Sequence, residues 1–480
     1  VTVVIDGRSL TVGDMIAVAR AAAPVALAPA ALDSMTASRR ALERAVANGH
    51  RIYGTSTAAG ALQRVDLGAA EARDFNRAML MNCRVGLGAP AGHEIVRGTL
   101  LRLANNLARG VTGVRPELAE LLVRALNEDW RPTVRMLGSV GQADLAPMAE
   151  LMTQVLDIAD FQLEAGEGMA VIDNNAFSTA IATFAFHDLE RLAAALDVTA
   201  ALEMEGYLAN PSILHRILAE RPYAGLAASA DRLRALLDGS WIWRPEVPRN
   251  LQDPLTYRCI PQIHGALRDT LTFARGQLAV ELNAAQSNPL VDVAADQVVT
   301  VGCFDILPLA AALDYVRIAL APVLTSANER MMKLLHTGYS GLPPGLATDA
   351  DRGGDGFTEF GVAGQSLVAE ARLLAAPVSF EMASVTQAEG IEDRTTMAPL
   401  AGRRVGEMVE LGEMLAAMEL VVAARAVDLR RGAELGAGTR EAHRRVRACL
   451  PARLDGEPIP ANIDRVIDLV KSGSLGDICR

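Results

Sequence analysis

Aromatic side chains are scarce in this chain, at 4% of residues. The long segments are instead rich in Ala and Leu at a helical period, which argues against a β-sandwich or barrel. Cysteine is scarce too. The five residues Cys83, Cys259, Cys303, Cys449 and Cys479 form no C-x-x-C pair, which excludes a disulfide scaffold or zinc knuckle and points to a reducing compartment. No Lys/Arg-rich run exists, and 46 basic against 57 acidic residues leave a net charge of −11, so neither nucleic acid nor an anionic membrane is an expected partner. Internal repeats and low-complexity tracts are absent as well.

Long uninterrupted apolar runs are also wanting. Charges such as Glu150 and Asp157 break the apolar segments before about 18 residues, so no membrane span is expected. The Ala-rich stretch 16–32 follows Asp6 and Asp14 and is interrupted by Arg20, Pro24 and Pro29, so it does not read as a targeting signal. A cytoplasmic protein is the expectation.

What is present is a large apolar fraction, half of 480 residues, enough for a sizeable core. From Leu309 to Leu334 the positions Leu309, Leu313, Val316, Leu320, Val323, Ala327, Met331 and Leu334 advance in steps of three or four, which predicts one long helix with a continuous buried stripe. Similar periodicity over 263–285, 362–388 and 405–430 predicts a mostly α fold, an elongated bundle of long helices. Val1 to Ile5 before Asp6-Gly7 reads as a short strand and turn, with little else β. Loops are expected near 86–92, 241–254 and 338–356. A soft boundary near residue 200 separates a loop-rich part, 1–200, from a long-helix part, 201–480, in one folding unit.

Several polar clusters sit in this apolar background. Tyr53 lies in Tyr53-Gly54-Thr55-Ser56-Thr57, where glycine lets the backbone bring a phenol into a cavity. Gln252-Asp253-Pro254 leads to Arg258, a residue suited to gripping a carboxylate, although a helix-end ion pair explains it equally well. Glu281-Leu282-Asn283 and Ser287-Asn288-Pro289 place amides at a helix end, where capping is the plain explanation. Glu392-Asp393-Arg394 precedes a helix, so an N-terminal charge interaction competes with a site role.

In this order, with Gly138-Ser139-Val140-Gly141 and Asp144-Leu145-Ala146-Pro147, these segments resemble the histidine and aromatic amino-acid ammonia-lyases over essentially the whole chain. The resemblance implies a helical homotetramer whose active sites are each built by several chains. It also implies Tyr53 as the base that takes the β-proton, Arg258 on the substrate carboxylate and Glu392 beside the substrate ring, with Gln252 and Asn175 among the binding residues.

The departures carry as much as the matches. That family makes its electrophile, methylidene-imidazolone, by cyclising an Ala-Ser-Gly triplet between the Gly and the Asp-Leu of the central motif. Here only Gln142 and Ala143 separate Gly141 from Asp144. The usual ring therefore has no serine to form from, and no cofactor and no metal are expected. Cys83 stands where the family has His, Asp173 where it has Asn, and Asp305, next to Phe304, where it has His.

A trimethylammonium nitrogen has no lone pair for an electrophile to capture and leaves as neutral trimethylamine, so a betaine needs no such cofactor. The resemblance and the missing triplet together imply elimination of trimethylamine from a histidine-derived betaine, ergothioneine giving thiourocanate. Asp173 and Asp305, with the Phe304 ring, would face the fixed cation. Pairing of either aspartate with a core arginine is the plainer alternative. A histidine or aromatic amino-acid ammonia-lyase or aminomutase, another betaine such as hercynine, and a non-catalytic helical relative remain open on sequence.

Overall fold

The computed structural model describes residues 1–347, 356–380, 387–452 and 463–479. The chain is mostly helical, and its longest helices are Ala176–Tyr207, Ile260–Asn283, Leu307–Leu335 and Ala398–Leu429. All eight positions of the predicted stripe from Leu309 to Leu334 are buried. Each large aliphatic side chain so placed contributes about 1.5–3 kcal/mol of transfer free energy, which is what fixes this helix. The helix tolerates Pro322 in its interior.

By length and composition Leu307–Leu335 does pass for a membrane span, contrary to the expectation that charge interrupts every apolar run. Its two early charges cancel one another, since Arg317 donates to Asp314 one turn away, and its apolar stripe faces protein.

The predicted helix over 362–388 is shorter than its periodicity suggests. It runs Thr358–Leu374 and stops three residues before Pro377, whose ring excludes a helical neighbour; residues 381–386 lie outside the described residues. Of the three expected loops, 86–92 contains the strand Leu87–Pro90, 241–254 opens on the helical turn Trp241–Trp243, and 338–356 begins within the short helix Thr337–Ser340, with 348–355 outside the described residues.

The β content is also larger than the sequence suggests. Val3–Ile5 pairs in parallel with Val25–Leu27, Leu87–Pro90 pairs antiparallel with Arg135–Leu137, and Leu290–Asp292 pairs antiparallel with Gln297–Val299. These strands of three or four residues are too short to display an alternating pattern.

Contacts group the chain into two compact units, each discontinuous in sequence rather than divided near residue 200. The first comprises Val1–Phe184, Arg275–Leu313 and Pro377–Arg403; the second comprises Ala185–Ala274, Asp314–Ala376 and Arg404–Arg480. In the first unit the helix Glu167–Ile172 packs on Ala69–Cys83 and on Leu145–Ala159. The ends of these three helices carry much of the site. In the second unit two clusters of buried charge are paired. Arg330 donates to Glu203 at 2.6 Å and to Glu419 at 3.3 Å, all three fully buried, and Asp197 accepts from Arg268 and bonds His264 at 2.8 Å.

Candidate active site

The first unit encloses a cavity of about 460 Å³. Tyr53, Cys83, Asp173, Phe304 and Glu392, drawn from five separate stretches of sequence, all line it. Its apolar wall comes from Phe75, Met79, Leu145, Met169 and Ile172, and Gln142, Asn288 and Arg394 add polar groups. The apolar wall escaped sequence reading because Phe75, Met79, Met169 and Ile172 lie on helices, where helical spacing marks core and cavity lining alike.

Tyr53 is placed by a tight turn. Gly54 has φ +66°, and a Cβ there would collide with the Met169 side chain, so glycine is required on both counts. Ser56 closes the loop by donating to the His50 carbonyl at 2.9 Å and accepting from the Ile52 N–H at 2.9 Å. The Tyr53 hydroxyl oxygen accepts the Gly60 N–H at 2.8 Å. Burial pushes the phenol above its usual range. The Gly60 N–H partly opposes this, and the charges of Asp173 and Glu392 reinforce it.

Asp173 caps the C-terminus of the helix Glu167–Ile172 and is 6% exposed. Among the described residues it makes no ion pair with Arg or Lys. Burial, and then Glu392, push its carboxyl up to about 8, with the Asn288 N–H opposing. Burial also raises Glu392, and burial with Glu392 raises the Cys83 thiol. Burial thus shifts Tyr53, Cys83, Asp173 and Glu392 in the same direction, toward the protonated form.

Asp305, read from the sequence as a second cation-binding carboxylate, takes the plainer alternative. It lies outside the cavity lining, accepts from the Leu307 N–H at 2.9 Å as a helix cap, and pairs with Arg394 at 3.3 Å. Asn175 is likewise behind the wall, fully buried, with its amide donating to the Phe304 carbonyl and its N–H donating to Gln286 at 3.1 Å. It supports Phe304 rather than facing the cavity.

Gln252 and Arg258 belong to the second unit and do not line the cavity; Arg258 donates to Gln252 at 3.2 Å. The amides of the 283–288 segment serve as fasteners. Asn283 exchanges hydrogen bonds with both backbone groups of Leu10, and Asn288 accepts the Val301 N–H at 3.0 Å.

The central turn forms one side of the cavity. Gly141 has φ +75° and Ala143 φ +57°, and Thr396 donates to the Gly141 carbonyl at 2.5 Å. Buried Asp144 accepts the Ser139 and Ser178 hydroxyls at 2.6 Å each and the Ser178 N–H at 2.7 Å. Burial still lifts its carboxyl above the usual range against these bonds. Ser139 is thus committed to Asp144, while its oxygen accepts from Gly141 at 3.0 Å. Between Gly141 and Asp144 stand only Gln142 and Ala143, and no residue there can be dehydrated to an alkene. The residues present do not fit a methylidene-imidazolone.

A helical fold with a tyrosine and three carboxyls, Asp173, Glu392 and Asp393, around a cavity beside a Gly-x-x-Asp turn goes with the class that the family match defines, a carbon–nitrogen lyase. The chain belongs to the aromatic amino acid lyase family, whose model matches residues 10–156 and 152–448. It is 33% identical to a histidine ammonia-lyase of Gloeobacter violaceus over 98% of this chain and 96% of that one. Among solved structures it resembles histidine ammonia-lyase from Trypanosoma cruzi at 26% identity and TM-score 0.90, covering 100% of this chain and 95% of that chain. It also resembles the ergothioneine-degrading enzyme ergothionase from Treponema denticola, at 24% identity and TM-score 0.92 over 99% of both chains.

Proposed function

We propose that this lyase eliminates trimethylamine from a histidine-derived betaine, ergothioneine giving thiourocanate, without a self-made electrophile. The observation that carries the reading is the pairing of two features at one cavity. The central turn has no residue from which the electrophile forms, and the buried Asp173, which shares the cavity with the phenol, has no basic partner among the described residues. A permanent cation supplies the missing charge and leaves without chemical activation.

In this reading Tyr53, as phenolate, takes the β-proton; the electrons of that C–H bond become the second bond of the alkene, and the C–N pair departs with neutral trimethylamine. The Gly60 N–H favours the phenolate. Glu392 meets the ring N–H, and the Phe304 face and Asp173 meet the methylated nitrogen. Arg394, the cation on the cavity wall, is tied to Asp305. The substrate carboxylate is left to an Arg258 contributed by another copy of the chain, in a homotetramer with shared sites working in the cytoplasm.

The names of the sequence relatives favour a second reading, deamination of histidine, against which the missing serine stands. Incubation with ergothioneine and with histidine separates the two. Expected are a conjugated acrylate absorbance and one trimethylamine per turnover from ergothioneine alone; ammonia from histidine contradicts the betaine reading. Tyr53→Phe is expected to lower turnover at least about 100-fold with unchanged thermal unfolding. Full activity in that variant eliminates Tyr53 as the base.

A further inference from the structure

Resting on the betaine-lyase reading, we propose that Asp173 stays protonated in the empty cavity and that a fixed cation expels this proton on binding, so that the substrate ionises its own site. Asp173 is 6% exposed, and its backbone partner is a single N–H, that of Asn288. The groups around it are acids. Glu392 and Tyr53 share its cavity, and Cys83 reaches the same space from the end of the helix Ala69–Cys83.

Nearby charges of the packed elements are already committed. On its own helix, Glu167 accepts from Arg115 at 2.7 Å, and at the start of the helix Leu145–Ala159, Asp144 is held by Ser139 and Ser178. Asp393 and Arg394 also line the cavity, with Arg394 on Asp305. A buried carboxylate so surrounded has no counter-charge among the described residues, and its pushed-up value of about 8 agrees with this.

The distinction between amines follows. A primary ammonium can hand one of its own protons to the carboxylate and lose its charge. A trimethylammonium has none to give, so its charge persists and displaces the proton to solvent. At Tyr53 the same positive charge offsets the upward push of the newly ionised Asp173, so the phenolate is not penalised by the site's ionisation.

Calorimetric titration of the Tyr53→Phe protein with ergothioneine, in phosphate and in Tris at pH 7, reads the proton directly while preventing turnover. The expected result is release of about one proton per site and a Kd that falls about tenfold per pH unit from 6 to 7.5, levelling near 8. Asp173→Asn in the same background should abolish the release. Binding with the same enthalpy in both buffers, or release unchanged by Asp173→Asn, overturns the inference and leaves the betaine reading standing. Absence of any binding of ergothioneine overturns both.

Discussion

Two groups of buried carboxylates, one in each compact unit, are held on opposite terms. In the second, Glu203 and Glu419 share Arg330, and Asp197 has His264 and Arg268. Even with Arg330 present, burial and then Glu203 push Glu419 well above the usual carboxylate range, since one guanidinium cannot neutralise two acids. Asp197 has two partners for one charge and is held below its usual range against the opposing effect of burial. In the first unit Asp173 and Glu392 meet at a cavity whose one lining cation among the described residues, Arg394, pairs with Asp305, and neither acid has an ion pair among those residues. The carboxylates of the Arg330 and Asp197 clusters carry their own cations and hold the fold together, whereas Asp173, without one among the described residues, faces a cavity.

Three substitutions sharpen this contrast. Arg330→Met leaves two buried carboxyls uncompensated and is expected to cost about 3–5 kcal/mol of stability, read by denaturant unfolding. A loss under about 1 kcal/mol would show that the second unit's cluster is not structural.

Asp173→Asn should do the reverse, leaving the fold at least as stable at pH 8 while weakening betaine binding about 30-fold, or about 2 kcal/mol. The sign with pH is fixed by proton counting. Between the ordinary value of 3.8 and about 8 the folded protein binds a proton on Asp173 that the unfolded chain has released, so the empty protein loses stability as pH rises through this window. Thermal melts from pH 5 to 8 should show that slope, and the asparagine variant should flatten it.

The smallest effect is expected of Asp305→Asn. Asparagine caps the following helix about as well, and the partly exposed pair with Arg394 contributes under about 1 kcal/mol. Betaine affinity that drops as far in this variant as in Asp173→Asn would reassign the counter-ion.

The sequence made the long helices legible because a stripe such as Leu309 to Leu334 repeats often enough to define a face. Leu87–Pro90 was illegible for the opposite reason; its four residues are all exposed and show no alternation. At the site, Tyr53, Cys83, Asp173, Phe304 and Glu392 were found by their motifs, since no periodicity links residues so far apart in the chain. Asp305 and Asn175 were misplaced because a motif marks position but not which way a side chain turns. Asp305 points to Arg394 and a helix end, and Asn175 to the backbone behind Phe304. Phe75 and Met79 carried no signal apart from ordinary helical core, and only the packed structure shows that they border space.

The central claim is that this cavity accepts a charge which cannot be neutralised by losing a proton. Its most direct test is a matched pair, histidine and its trimethyl betaine hercynine, titrated into the Tyr53→Phe protein at pH 7. The two ligands share ring and carboxylate and differ at the amine alone. Hercynine is expected to bind at least about tenfold more tightly, a difference of about 1.4 kcal/mol. Equal affinity, or tighter binding of histidine, would contradict it.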